Sequence, residues 1–167
     1  MFRLLSRCIQ GFNLVTGYLS AAGIVVCTGA LSYEVVVRYF FNDPTDWSLE
    51  FNIFMLVGAT FMGSAYTQMK RAHVGIGLLD GLLPDHWNRL RLFLSDVLSM
   101  ALCGFVAWYS WAYFYQAWDE GWVTDSPWGP KLWIPYFFMA LGMTTLTIQY
   151  VIQIVEGLLL SSVKGES

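Results

Sequence analysis

The chain has 167 residues, of which 56% are hydrophobic, 17% aromatic and only 13% charged, with a mean hydropathy of +0.51 and a net charge of −3. Soluble domains carry about a quarter charged residues, so this is a membrane composition, and the small net charge argues against nucleic acid as a partner. The length suits a single domain of about four spanning helices with short connections.

The N-terminal "MFRLLSRCIQGF" holds two arginines but no short apolar core followed by a cleavage site. The apolar run that follows is too long for a signal peptide and reads as an uncleaved first span. Arg7 directly before Cys8 also spoils a lipoprotein signal. Cys8, Cys27 and Cys103 are widely spaced with no C-x-x-C, which points to packing residues rather than a disulfide framework or metal cluster.

Charge divides the chain into spans. There are 26 uncharged residues between Arg7 and Glu34, 19 between Glu50 and Lys70, 22 between Asp96 and Asp119, and 24 between Lys131 and Glu156. Each crosses roughly 30 Å of hydrocarbon at about 1.5 Å per residue, and backbone groups in lipid must bond internally. The expectation is an all-α integral membrane protein with helices near residues 12–40, 47–69, 90–118 and 132–160.

The first helix ends in "SYEVVVRYFFNDPTDWSLEF". Glu34 and Arg38 stand four residues apart with the acid first, the favourable order for a helical ion pair, and Arg38 can snorkel to the headgroups. Beyond the turn, Trp47 and Glu50 open the second helix, and Glu50 is close enough to compete for Arg38. The group serves either as a clamp on the helix hairpin or as a docking surface for a partner outside the membrane. Gly17 and Ala21 on the first helix and Ala59 and Gly63 on the second let helix backbones approach closely.

The loop "KRAHVGIGLLDGLLPDHWNRLR" has Val74, Ile76, Leu78, Leu79, Leu82 and Leu83 between flanking bases. It should lie along the inner membrane surface and end at Pro84. On the third helix, Asp96 lies one and a half turns in, and Ser95, Ser99, Cys103 and Ala107 form a ridge of small residues at i+4 steps. The outer loop "DEGWVTDSPWGPKLW" is rich in proline and glycine turn signals and should be a tight, ordered connection. On the fourth helix, Gln149, Gln153 and Glu156 make a stripe at i, i+4, i+7. With Asp96 these read as polar glue between helices or towards a partner, in preference to transport chemistry.

Orientation follows from Lys and Arg. Arg3, Arg7, Lys70, Arg71, Arg89, Arg91 and Lys164 fall on one side, and only Arg38 and Lys131 on the other, which places both termini in the cytoplasm. Six of the eight tryptophans (Trp47, Trp111, Trp118, Trp122, Trp128, Trp133) fall at or near the outer side, as an interfacial belt does. Several chemistries lack their residues. His73 and His86 both lie in the cytoplasmic loop, which leaves no intramembrane haem ligands, and no Ser/His/Asp set or phosphate-binding glycine loop appears.

Three segments, "EVVVRYFFNDPTDW", "GATFMGSAYTQMKRAHVGIGLLDGLLP" and "SPWGPKLWIP", together resemble the small, Q-type membrane subunit of tripartite ATP-independent periplasmic (TRAP) transporters. The pattern is E-x-x-x-R-Y, a short turn and a Trp, then an acid opening helix two and a small-residue helix end leading to "AHV". Here Glu34, Arg38, Tyr39, Trp47, Glu50, Gly63, Ala65, Tyr66, Ala72, His73 and Val74 carry it. The resemblance extends over essentially the whole chain and is strongest from residue 32 to 84.

The resemblance implies a non-enzymatic subunit of a bacterial inner-membrane uptake system for organic acids, without a cofactor of its own. Its implied partners are a large M-type permease, which moves substrate with sodium coupling by an elevator motion, and a periplasmic solute-binding protein. The small subunit would be static scaffold and part of the docking surface. The "SPWGPKLWIP" segment looks like a subgroup associated with oxo-acid, hydroxy-acid or mannitol systems. The alternative is a self-sufficient four-helix ion-coupled transporter or channel. Such chains carry a mid-span glutamate, whereas Glu34 is at the outer end with a base in reach, which suits an ion pair better than proton exchange.

Overall fold

A computed structural model describes residues 2–42, 45–70 and 85–164, with side chains for all of these except 2–5, 85–90, 92, 156 and 158–164. Four helices account for nearly all of it: α1 (Phe2–Phe41), α2 (Ser48–Met69), α3 (Asp85–Asp119) and α4 (Trp133–Lys164). All four contain segments long and apolar enough to cross a membrane, with mean hydropathies of 1.2 to 1.8. The expected inner-surface segment at residues 71–84, with His73, lies outside the described residues.

The helices outrun the expected spans. α1 begins at Phe2 instead of near residue 12, and α3 at Asp85 instead of near 90. The apolar run marks what fits in lipid, whereas a helix continues until its backbone is broken. Arg3, Arg7 and Gln10 are good helix formers, and Asp85 is well placed in a first turn directly after Pro84. At about 1.5 Å per residue, α1's 40 residues reach about 60 Å, so it must tilt or project beyond a bilayer core of about 30 Å.

The helices form an open row rather than a closed four-helix bundle. α1 packs on α2, α2 on α4 and α4 on α3, while α1 touches α4 only lightly. α1 and α3 therefore stand at the two edges.

Polarity is inverted relative to a water-soluble helix. The buried line of α1 is Ser6, Asn13, Thr16, Ser20, Cys27 and Glu34, at steps of three, four and seven, while Val15, Leu19, Val26 and Val35 face outward. Elsewhere the buried apolar residues are mostly alanine and cysteine, with Leu146, Tyr150 and Ile152 the bulkier exceptions. Lipid is as apolar as leucine, so burying leucine gains nothing there, and small residues that bring backbones together contribute the packing. A Cβ on Gly17 would come within 2.5 Å of the Tyr66 ring, and one on Gly63 within 3.3 Å of Ser20. One on Gly142 would overlap the Phe61 backbone. These contacts set α1 on α2 and α2 on α4.

Among the described residues, both connections at one end of the row show defined turn geometry. α1 closes at Asn42, in the left-handed region (φ 52°), where asparagine is one of the few tolerated residues. Between α3 and α4 the chain doubles back at Gly121 and Gly129, both with positive φ. Val123 bridges Lys131, the Leu132 amide donates to the Trp122 carbonyl at 3.0 Å, and the Gly129 amide donates to Ser126 Oγ at 3.2 Å. Above them, Trp111, Phe114, Trp118, Trp133 and Phe137 interlock with centroids 4.9 to 6.4 Å apart, tying the ends of α3 and α4.

Gly142→Val should therefore destabilise the fold by about 1–3 kcal/mol through overpacking. Gly157→Ala on the same helix, with nothing within 4 Å, should be nearly silent. Thermal unfolding in detergent, followed by size-exclusion recovery, separates the two.

Candidate functional site

Two groups of polar side chains stand out in this apolar chain. The first is the corner between α1 and α2. Arg38 Nη2 donates to Glu34 Oε1 at 3.0 Å, and Thr45 Oγ1 donates to the other carboxylate oxygen. Glu34 is 7% exposed, whereas the Arg38 side chain is 66% exposed. The carboxylate thus turns inward and holds the connecting segment to the last turns of α1, while the guanidinium reaches out to water or headgroups. Its anchor Thr45, eleven residues along the chain, was not among the residues singled out from the sequence.

Glu50 does not share Arg38. On α2, positions 50, 54, 58, 61, 65 and 68 follow one line, and that line faces α4: Gly58 abuts Phe138, Phe61 abuts Gly142 and Gln68 bonds Gln153. The opposite line carries Asn52, Ala59 and Gly63 towards α1, with Cys27 Sγ 3.7 Å from the Asn52 carbonyl. Glu50 is 9% exposed, and no donor among the described residues reaches its Oε2. Asn52 donates to Ser48 at 2.7 Å, but its Oδ1 also lacks a donor. Trp47 precedes the first turn, exposed, with its ring edge-on to Phe51 at 5.8 Å.

The second group runs along α4 and joins it to every other helix. Asn13 on α1 donates to Gln149 Oε1 at 3.0 Å, and both side chains are fully buried. Gln68 on α2 donates to Gln153 Oε1 at 2.8 Å, and Gln153 returns a bond to the Gln68 carbonyl at 2.9 Å. Tyr150 packs with Cys103 of α3, and Ser99 and Asp96 of α3 lie within electrostatic reach of its hydroxyl. Further along, Trp111 Nε1 donates to Thr144 Oγ1 at 3.1 Å. Gln149 and Gln153 were legible as polar residues of a helix stripe. Their partners Asn13 and Gln68 were missed, although a lone amide inside an apolar run is a signal that a partner exists. The side chain of Glu156, the stripe's third member, lies outside the described residues.

Only part of the small-residue ridge on α3 packs within this chain. Cys103 and Ala107 are buried against α4 and Ser99 is half-buried, but Ser95 is exposed. With 3.6 residues per turn, each i+4 step rotates the ridge by about 40°, so three steps carry its end off the contact face. The buried line continues instead through Ser110 and Ala117.

Among the described residues no three His, Cys, Asp or Glu side chains converge as metal ligands. An open cavity of about 180 Å³ where α1, α2 and α4 meet is walled by Leu19, Phe54, Met55, Met62 and Phe138, with Thr16 and Ser20 the polar exceptions. Such a lining lacks the convergent polar groups that orient a small charged solute.

A family model described as "Tripartite ATP-independent periplasmic transporters, DctQ component" matches residues 27–160. The chain is 26% identical over 166 residues to the C4-dicarboxylate TRAP transporter small permease protein DctQ of Vibrio cholerae, covering 87% of this chain and 72% of that one. It is 21% identical over 138 residues to the ectoine TRAP transporter small permease protein TeaB of Halomonas elongata, covering 83% and 71%. The corner, α2, α3 and most of α4 fall within the matched family segment, and Asn13 precedes it.

The buried amide pair should show measurable coupling. Gln149→Leu strands the Asn13 amide in an apolar interior, and the Asn13→Leu, Gln149→Leu double variant should recover part of that loss. A double-mutant cycle on unfolding free energy should give about 0.5–2 kcal/mol of coupling, and simple additivity would contradict the bond.

Proposed function

The chain belongs to the DctQ-component family of the tripartite ATP-independent periplasmic transporters, and on that premise we propose that it is the scaffold subunit of such a system. It is a transport protein of the bacterial inner membrane. In this reading it holds still while a large M-type permease carries the solute, and it helps to receive the periplasmic solute-binding protein. The observation that supports a static role most is the interior itself. The buried amides of Asn13, Gln68, Gln149 and Gln153 bond from helix to helix, glycines bring the backbones close, and the open cavity beside Leu19 and Phe54 has a mostly apolar lining.

The seven-against-two distribution of Lys and Arg supports placing both termini in the cytoplasm and the α1–α2 and α3–α4 connections in the periplasm. The whole chain then acts as one membrane domain, with residues 74–83 along the inner surface. Glu34, Arg38, Trp47 and Glu50 stand at the periplasmic rim, where a corner held by Glu34 and Thr45 offers a rigid docking edge. Sodium coupling belongs to the large permease, and the solute is an organic acid, by analogy with the C4-dicarboxylate relative.

Reconstitution tests this reading. The purified chain alone should move no organic anion into proteoliposomes, while addition of the large permease and the binding protein should restore uptake. Robust uptake by the chain alone would favour a self-sufficient transporter. Glu34→Gln and Arg38→Ala should each weaken subunit assembly or binding-protein docking, measured by co-purification and uptake rate, and wild-type behaviour of both would remove the corner from the function.

A further inference from the structure

We propose that the periplasmic end of this subunit is an acidic receptor for a basic surface of the solute-binding protein, with Glu50 the seat for one arginine or lysine side chain. This rests on the orientation and docking role proposed above. Among the described residues, that end carries Glu34, Asp46, Glu50, Asp119, Glu120 and Asp125 against only Arg38 and Lys131. Arg38 is already paired with Glu34. Glu120 takes its donors from Trp122 Nε1 at 2.7 Å and Gln116 Nε2 at 3.2 Å, both neutral, so its charge is not cancelled. Like charges spread over two neighbouring connections add to one attractive field for a soluble cationic surface.

A field alone would not make a site, but the corner holds a second and separate feature. Glu50 is nine-tenths buried, and its Oε2 has no donor among the described residues. A buried carboxylate oxygen without a donor is costly, and the missing group must bring N–H donors and positive charge. Three carboxylate, thiol or imidazole ligands do not converge among the described residues, which argues for a guanidinium or ammonium over a bound metal ion. Glu50 lies in the first turn of α2, so a long basic side chain can reach it from outside while its own backbone stays in the periplasm. The rim acids then steer the encounter and the seat retains the partner, the usual division between exposed and buried charges at an interface.

The test uses the assembled membrane complex in nanodiscs, with immobilised binding protein and rates read by interferometry over a salt series. Glu50→Lys should weaken binding about tenfold or more, chiefly through faster dissociation, and Glu50→Gln should do so to a smaller extent. Asp125→Lys should slow association several-fold at low salt and lose that effect in high salt. Wild-type affinity for both Glu50 variants, or salt-independent association, would overturn the proposal. So would dissociation of the large permease from both variants, which would assign the seat to that subunit. A photo-crosslinking residue at Trp128 keeps the two readings apart. Capture of the binding protein with indifferent Glu50 variants defeats only this inference, whereas no capture by the wild-type complex defeats the docking role itself.

Discussion

The hydrogen bonds received and given by α4 are the interaction on which the rest of the arrangement depends. In hydrocarbon there is no hydrophobic force to pull one helix against another, so association needs close packing and polar bonds between helices. α4 supplies both. Gln149 meets Asn13 of α1, Gln153 meets Gln68 of α2, and Thr144 meets Trp111 of α3. Single bonds of this kind contribute only about 0.6 kcal/mol on average, with a maximum near 1.7. Their effect lies in number and placement, since a slip of one helix by a single residue would strand several buried amides together.

The same logic explains why the molecule is an open row. α1 reaches α4 chiefly at Asn13 and otherwise leans on α2, where Gly17, Ser20 and Gly63 let the two backbones close up. α3 relies on α4 alone for its extensive packing and compensates with the interlocked rings at the connection end. Two edge helices thus carry large apolar faces outward, such as Leu94, Leu98 and Leu102 on α3. For a family whose members work as one component of three, a row with two broad faces is a natural shape for a part that others pack against.

Much of the fold was legible because charge is so sparse. The four gaps between charged residues mark all four helices, and the i, i+4 acid–base pair at the end of α1 is a real contact. Helix ends were less legible, since Arg3, Arg7 and Asp85 mark the limit of apolar sequence but not of helical backbone. The site was legible only in half. Gln149 and Gln153 stand out as a stripe, but Asn13 and Gln68 are uncharged, one to a helix, and sit in apolar context, so nothing local says which partner each has. Glu50 was read through sequence proximity to Arg38, whereas the rotation of α2 turns it onto the line facing α4. Ser95 lies off the α4 contact face for a similar geometric reason, the drift of an i+4 ridge around the helix.

Helix order in the membrane is the most direct measure of whether α4 is the hub. In native membranes, with Cys8, Cys27 and Cys103 replaced, a short thiol cross-linker should join Gly58→Cys to Phe138→Cys across α2 and α4. It should likewise join Gly104→Cys to Thr147→Cys across α3 and α4; a Cβ added at Gly58 or Gly104 would lie 3.6 and 3.7 Å from the facing side chain. Cysteines placed at matched depth on α1 and α3 should stay unlinked. Efficient α1–α3 linkage with silent α4 pairs would mean a different helix order, and the seam along α4 would lose its place.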